Sequence, residues 1–340
     1  MQVQQTMLAT LSLGPVGISD QLSGRPEDPT AKITSNKTLV MATCAADGML
    51  LQPSFPLVPI ERMITGAGEF GDCFGPTHRA YTYGCGAHTW ATYSAIPVGG
   101  KATGVHDSSR SSSNVGLWWT ALGFFSGRGG SPVTTITLRE DDLAPMVDAQ
   151  TLPTADFSDI PAAYFNDAGL TFPAPPSLSG SSASVDTTAA TSSPQYVAWE
   201  HRFVHQVDCS GVVVHPWNGS TALSIVSPKG HSASEDYTTQ LNIAPVFNGL
   251  ALLGEAGKVT SVSTYRFSSV AAASQGEGSR QGLTVAMRGK PGEAVGLLFA
   301  STSSVGVASE LSSYTCSLVK AVIGADGTGT ATFPASAASY

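Results

Sequence analysis

The sequence predicts a mainly β chain: an antiparallel β-sandwich domain preceded by a remnant β/α unit of a TIM-type barrel. Three observations carry this. Charged residues make up only 12% of the chain, about half the usual share of roughly 25%, and Gly, Ser, Thr and Ala fill the gap. From Tyr196 onward, short apolar runs alternate with turn signals and no helical period intervenes. Before residue 62 the order is helix, short apolar strand, polar loop, helix, which is the rhythm of a β/α unit.

Each element follows from local chemistry. Residues 1–12 hold Met, Gln, Ala and Leu with no Gly or Pro, a helical composition. Residues 13–19 read as a short buried strand with small residues and β-branched Val16 and Ile18, closed by Asp20. A Gly- and Pro-bearing loop then leads to Ser35, an N-cap for a helix over 37–45 that Asp47-Gly48 stops. Three prolines keep 52–62 out of regular helix. This first region, 1–62, is the β/α unit and its exit segment.

Residues 63–194 form a Gly-, Ser- and Pro-rich insertion and linker with some strands. The β-branched run at 133–138 predicts one of them. Residues 173–194 have too little apolar surface to offset the entropy of ordering them, so an exposed linker is expected.

Residues 195–340 form the antiparallel domain, with strands expected at 196–207, 211–215, 222–226, 241–253, 259–267, 283–288, 294–299, 316–323 and 329–333. Asn218-Gly219, Lys290-Pro291-Gly292 and Asp326-Gly327 supply turns.

Charge and composition exclude several function classes. The formal net charge is −8 and no dense Lys/Arg run occurs, so the basic stripe that neutralises phosphates in nucleic-acid binders is missing. A polybasic membrane face is disfavoured for the same reason. No apolar run approaches the roughly 20 residues that span a bilayer. The start, Met1 to Gln5, has neither the basic region nor the apolar core of a signal peptide and enters a helix without preamble. Five cysteines (Cys44, Cys73, Cys85, Cys209 and Cys316) are too scattered for a disulfide scaffold. Cys73 and Cys85 can pair across a loop, and the odd count leaves at least one thiol free. Asn36-Lys37-Thr38 and Asn218-Gly219-Ser220 match the glycosylation triplet, which matters only in a secreted protein.

Chemistry-bearing motifs are sparse. Gly66-Ala67-Gly68-Glu69-Phe70-Gly71 matches the dinucleotide fingerprint in letters, but Pro59 precedes it and Pro76 follows, so the required strand–helix setting is lacking. Cys73, His78, Cys85 and His88 cluster without the tight Cys-x-x-Cys pairs of a zinc site, and a surface loop explains them equally well. His201 and His205 share a face with Trp199 and Phe203, which favours packing over ligation. Gly230-His231-Ser232-Ala233-Ser234 lacks the last glycine of a nucleophile elbow. Glu255 and Glu293 lie in tight Gly-containing segments, where a carboxylate bonds turn amides. No metal or other cofactor is expected. Asp20 differs: at the C-terminal end of a barrel strand a carboxylate faces the substrate mouth, although capping of the next loop explains it as well.

These residues also resemble a family. The run from Leu11 to Leu22, with Gly14-Pro15-Val16 and Ser19-Asp20, resembles the final barrel strand of α-galactosidase-like glycoside hydrolases. Residues 44–53, with Asp47-Gly48 and Leu51-Gln52-Pro53, are similar to the passage where those enzymes leave the barrel. Residues 244–255, Tyr265-Arg266-Phe267 and 288–293 resemble their C-terminal β-domain. The resemblance covers roughly 5–60 and 195–335, and 61–194 matches nothing in it.

The resemblance implies a protein acting on or binding α-linked sugars, with carbohydrate as its partner and Asp20 as a substrate contact. The family's nucleophile follows a Lys-x-Asp step, and no Lys here is followed two positions later by Asp. The catalytic carboxylate pair is therefore absent, and the expectation is a tail inactive alone, needing a missing N-terminal barrel portion or a partner chain. The alternative is a non-catalytic carbohydrate-binding or adhesion β-protein that stacks sugars on Trp90, Trp118, Trp119, Trp199 or Trp217. A metal-dependent enzyme using Cys85 and His88 is a third.

Overall fold

The computed structural model describes residues 2–13, 40–59, 87–99, 114–125, 135–138, 196–202, 208–217, 222–226, 237–247, 249–273, 282–302 and 314–334. Helix α1 spans Gln2–Leu11. Among the described residues fourteen strands follow: β1 (Val58–Pro59), β2 (Ala87–Gly99), β3 (Asn114–Phe125), β4 (Thr135–Leu138), β5 (Tyr196–Glu200), β6 (Val214–Trp217), β7 (Leu223–Val226), β8 (Tyr237–Pro245), β9 (Leu250–Glu255), β10 (Phe267–Ala273), β11 (Gly282–Arg288), β12 (Ala294–Thr302), β13 (Tyr314–Val322) and β14 (Thr328–Phe333).

The strands make three sheets. The large one has nine strands in the order β14-β11-β10-β2-β3-β8-β5-β6, with β1 on the flank of β2. Its pairings are antiparallel except that β10 runs parallel to β2. The second sheet is β13-β12-β9 and the third is β4-β7. The described chain is mainly β, and its large sheet is mixed.

Alternation of side chains across the pleat assigns the layers. Ile96, Trp118, Trp199, Val270, Val285 and Phe333 turn one face of the large sheet towards Leu252 of β9 and Leu297 and Phe299 of β12. Two sheets thus close on one core, a sandwich. Phe299 and Phe333 stack across it with ring centroids 5.0 Å apart. The opposite face, with Tyr93, Trp119, Ala121, Ala198 and Ile243, is covered by Leu138 of β4, Ile225 of β7 and the half-buried Phe55 and Val58. Strands β2, β3, β5 and β8 are therefore buried on both faces. Stretch 63–194 supplies β2 and β3, which lie in the centre of the same sheet as the strands after residue 195.

The N-terminal segments dock on the sandwich face of β2 and β3. Met7 and Leu11 of α1 pack with Ala42, Leu122 and Val259, flanked by Leu57 and Trp90. Leu13, at φ +60°, ends the helix in the left-handed conformation. It therefore belongs to a helix terminus, not to the start of the strand expected at 13–19. The rest of that strand lies outside the described residues, and no barrel remnant is seen among those described. The helix expected over 37–45 is helical at 40–43 and gives way to a Cys44–Leu50 bridge.

Three further expectations are corrected. The run 241–253 is two strands, β8 and β9, because Gly249 turns the chain at φ +79°. Residues 259–266 form consecutive turns rather than a strand. Strand β10 lay hidden in Phe267-Ser268-Ser269-Val270-Ala271-Ala272-Ala273, whose small residues carry little apolar signal. The scattered cysteines include one bridge: Cys209, in the turn before β6, bonds Cys316 of β13, with Cα atoms 5.5 Å apart. Cys73 and Cys85 lie outside the described residues.

Gly254 marks the tightest backbone approach. It sits at φ +118°, and a Cβ there would run into the carbonyl oxygen of Ser261. Backbone cannot swing aside as a side-chain tip can. Gly254→Ala should lower unfolding stability by about 3 kcal/mol, strain and overpacking combined. A urea titration showing a loss below about 0.5 kcal/mol, an ordinary surface change, would contradict this close approach.

Candidate functional site: the Arg266 centre

The carboxylates that converge in the described structure are Glu255 and Glu293, and both grip Arg266. Glu255 ends β9, just after the Gly254 kink, and its amide donates to Ser261 O at 2.6 Å. Arg266 stands directly before β10. Glu293 directly precedes β12 and closes the Lys290-Pro291-Gly292 turn, where Gly292 sits at φ +81°. Three turns thus deliver three ionised groups to one point.

All five guanidinium N–H groups are used. Arg266 Nε donates to Glu255 Oε2 at 2.8 Å and Nη2 to Glu255 Oε1 at 3.3 Å. Nη2 also donates to Glu293 Oε1 at 2.6 Å, and Nη1 to Glu293 Oε2 at 3.0 Å and Arg288 O at 2.7 Å. Arg266 is 1% exposed. Gly289 leaves it room: a Cβ there would strike both Arg266 Nη1 and Glu293 Oε2.

The N-terminal segment is tied into this centre. Ala46 N donates to Glu293 Oε1 at 3.1 Å, and Lys290 N to Glu293 Oε2 at 3.1 Å. Lys258 Nζ lies 3.9 Å from Glu255 Oε1 and donates to Met41 O and Cys44 O, both at 2.6 Å. Two cations balance two anions. Burial pushes the Glu255 carboxyl up, against the pull of Arg266 and Lys258. Burial pushes Glu293 the same way, but hydrogen bonds from Arg266 and Ala46 outweigh it and hold Glu293 below the usual range.

A polar stripe on β2, β3, β8 and the end of β5 holds the adjoining loop. Ser94 Oγ donates to Val262 O at 2.6 Å, Gln240 Nε2 to Val259 O at 2.9 Å and Asn242 Nδ2 to Ser261 Oγ at 2.9 Å. Thr120 Oγ1 donates to Asn242 Oδ1 at 2.9 Å. His201 Nε2 lies 2.6 Å from Lys258 O, so this nitrogen carries the proton.

This arrangement supports binding of backbone, not bond cleavage. A retaining glycosidase pair faces its substrate across about 5 Å of open space. Here a guanidinium fills the space between the two carboxyls and occupies the oxygens that would attack or donate a proton. Glu293 does bond turn amides, as its Gly-containing setting suggests, whereas Glu255 turns to Arg266 and Lys258.

The remaining candidates fall elsewhere. Asp20, the Gly66–Gly71 run, Cys73, His78, Cys85, His205 and residues 230–234 lie outside the described residues. His88 is on β2, opposite Phe124. No group of three or more His, Cys, Asp or Glu among the described residues is placed to hold a metal. Trp118, Trp119, Trp199 and Trp217 are buried in the two sandwich cores, and Trp118 Nε1 donates to Leu252 O at 2.9 Å. Their faces are packed and offer no platform for a sugar. Trp90 is half-buried, edge-on to Phe124 at 6.3 Å. Sequence reasoning missed Arg266 and Lys258. A lone Arg between Tyr265 and Phe267 was the available signal, because a charge amid aromatics needs buried partners.

Fold and centre together define a mainly β protein whose converging ionised side chains form a structural clamp. No family model matches the chain, and neither a curated protein nor a solved structure matches it.

Removing the cation alone strands two carboxylates. Arg266→Met should cost about 3–5 kcal/mol in denaturant unfolding, and Arg266→Lys most of that, because an ammonium cannot span both forks. Full stability in either variant would refute the clamp.

The acid limb gives a second check. Glu293 is depressed in the folded state, so it stabilises above the unfolded glutamate pKa of about 4.3 and loses that contribution as pH falls through its folded value. Glu255 is raised and acts in the opposite sense, gaining its proton above that point. Urea midpoints from pH 7 to 3 should fall more steeply for the wild type than for Glu293→Gln. Parallel curves would mean that Glu293 is not ionised against Arg266.

Proposed function

We propose that this chain is a glycoside-hydrolase-like protein that binds α-linked sugars without cleaving them alone, with Asp20 as a sugar contact. One observation supports the reading above the others. The stretches that resemble one family lie far apart in the chain and meet at the Arg266 centre. From the barrel-exit passage, Cys44 O receives Lys258, Ala46 N reaches Glu293, and Gln52 O receives Ser263 Oγ at 2.6 Å. These partners are 214, 247 and 211 residues apart. Segments that join two parts of one architecture are expected to touch in this way.

The state of Glu255 and Glu293 supports the non-catalytic half of the reading. A nucleophile needs a free lone pair facing substrate, and an acid/base needs a proton near its working pH. Arg266 takes the first and holds Glu293 away from the second.

Calorimetric titration of the whole chain with a panel of α-linked glycosides, galactosides included, tests the binding half. Saturable binding weakened by Asp20→Asn is the expected result, and no binding to any of them would overturn it. Aryl α-glycosides should release no phenol with the same preparation. Turnover abolished by a carboxylate substitution would overturn the non-catalytic half.

A further inference from the structure

The Cys209–Cys316 bond ties β13 to the turn before β6. Among the described residues, strand β13 is an outer strand of the three-stranded sheet and pairs only with β12. Among the described residues, strand β6 is an outer strand of the large sheet and pairs only with β5. The C-terminal end of β13 is held by the hairpin into β14, where Gly324 N donates to Thr328 O at 2.7 Å and Gly292 N to Ile323 O at 2.9 Å. At its other end Tyr314 and Thr315 pair with Thr302 and Ser301 of β12, and beside them the disulfide at Cys316 reaches across to the turn before β6.

The strand's own packing is thin along its middle. Along β13 only Tyr314 and Ala321 are buried, while residues 316–319 are half-buried. Cys209 and Cys316 themselves lie partly buried against the main core. A covalent bond between residues 107 positions apart therefore ties β13 to the turn that leads into β6, on the side where β13 makes no ladder hydrogen bonds among the described residues.

We infer that Cys209–Cys316 is a redox-sensitive clasp that closes the β6–β13 edge, so that the sandwich is fully shut only in an oxidising compartment. Disulfides persist in such compartments and are kept reduced in glutathione-rich ones. A dithiol supplies two electrons and two protons, the bond becomes two thiols, and the dithiol closes to its own cyclic disulfide. The β13 edge is then free to fray. This also bears on the glycosylation triplets, which matter only in the compartments that favour the bond.

Hydrogen exchange read by mass spectrometry tests the clasp on the whole chain. Protein from an oxidising preparation is compared with the same protein reduced by dithiothreitol and alkylated. Backbone amides of 314–319 should exchange at least tenfold faster after reduction, while those of β9, all of whose residues are buried, keep their protection. The Cys209→Ser/Cys316→Ser variant should reproduce the reduced pattern. Equal exchange at 314–319 in both states would overturn the inference. So would loss of β9 protection along with β13, which would make the bond a tie for the whole fold, or a non-reducing peptide map showing both thiols free in the oxidised sample.

Discussion

A guanidinium removed from water costs several kcal/mol unless every N–H finds an acceptor. Arg266 meets that condition, and much of the surrounding geometry serves it. Glu255 must end its strand pointing inward, so Gly254 adopts φ +118° and turns the chain beneath Ser261. Glu293 must face the same point, so a turn with Gly292 at φ +81° directly precedes it. Gly289 must carry no side chain, because any atom there would displace the ion pair. Remove the guanidinium, and two carboxylates lie buried together without a counter-ion.

The second constraint concerns backbone. Residues 258–263 join no strand, yet Val259, Thr260, Ser261, Val262 and Ser263 are buried. Buried carbonyls need partners. Side chains from the sheet supply them: Ser94 for Val262, Gln240 for Val259 and His201 for Lys258. The loop returns the service, since Lys258 Nζ and Ser263 Oγ fix the carbonyls of Met41, Cys44 and Gln52. A polar stripe on an otherwise apolar sheet thus carries a loop, and the loop carries the N-terminal segment onto the β-domain.

How much of this was legible follows from what each segment packs against. Strands with one exposed face, such as β11 and β14, alternate polar and apolar residues and were placed within one residue. Strands β2 and β3 are covered on both faces, so Leu117-Trp118-Trp119-Thr120-Ala121-Leu122 shows no alternation to read. The run 259–267, with two Val, two Thr, Tyr and Phe, showed a strand's composition, and side-chain bonds from Gln240, Asn242 and Ser94 hold it in turns instead. The structural role of Glu255 and Glu293 was visible from their glycine-rich settings. Their common partner was not, because Arg266 is separated from them by 11 and 27 positions and no periodicity links such residues. Glycine at 254 and 289 was legible as glycine, whereas the contact each one permits belongs to another part of the chain.

Full engagement of the Arg266 guanidinium is what holds these turns together. Nitrogen-edited NMR of the arginine side chains reads this directly. Arg266 should give separately resolved, slowly exchanging Nη protons, with rotation about Nε–Cζ halted and no response to added salt. A single averaged, rapidly exchanging resonance, as a solvated guanidinium gives, would contradict the clamp on which the described fold depends.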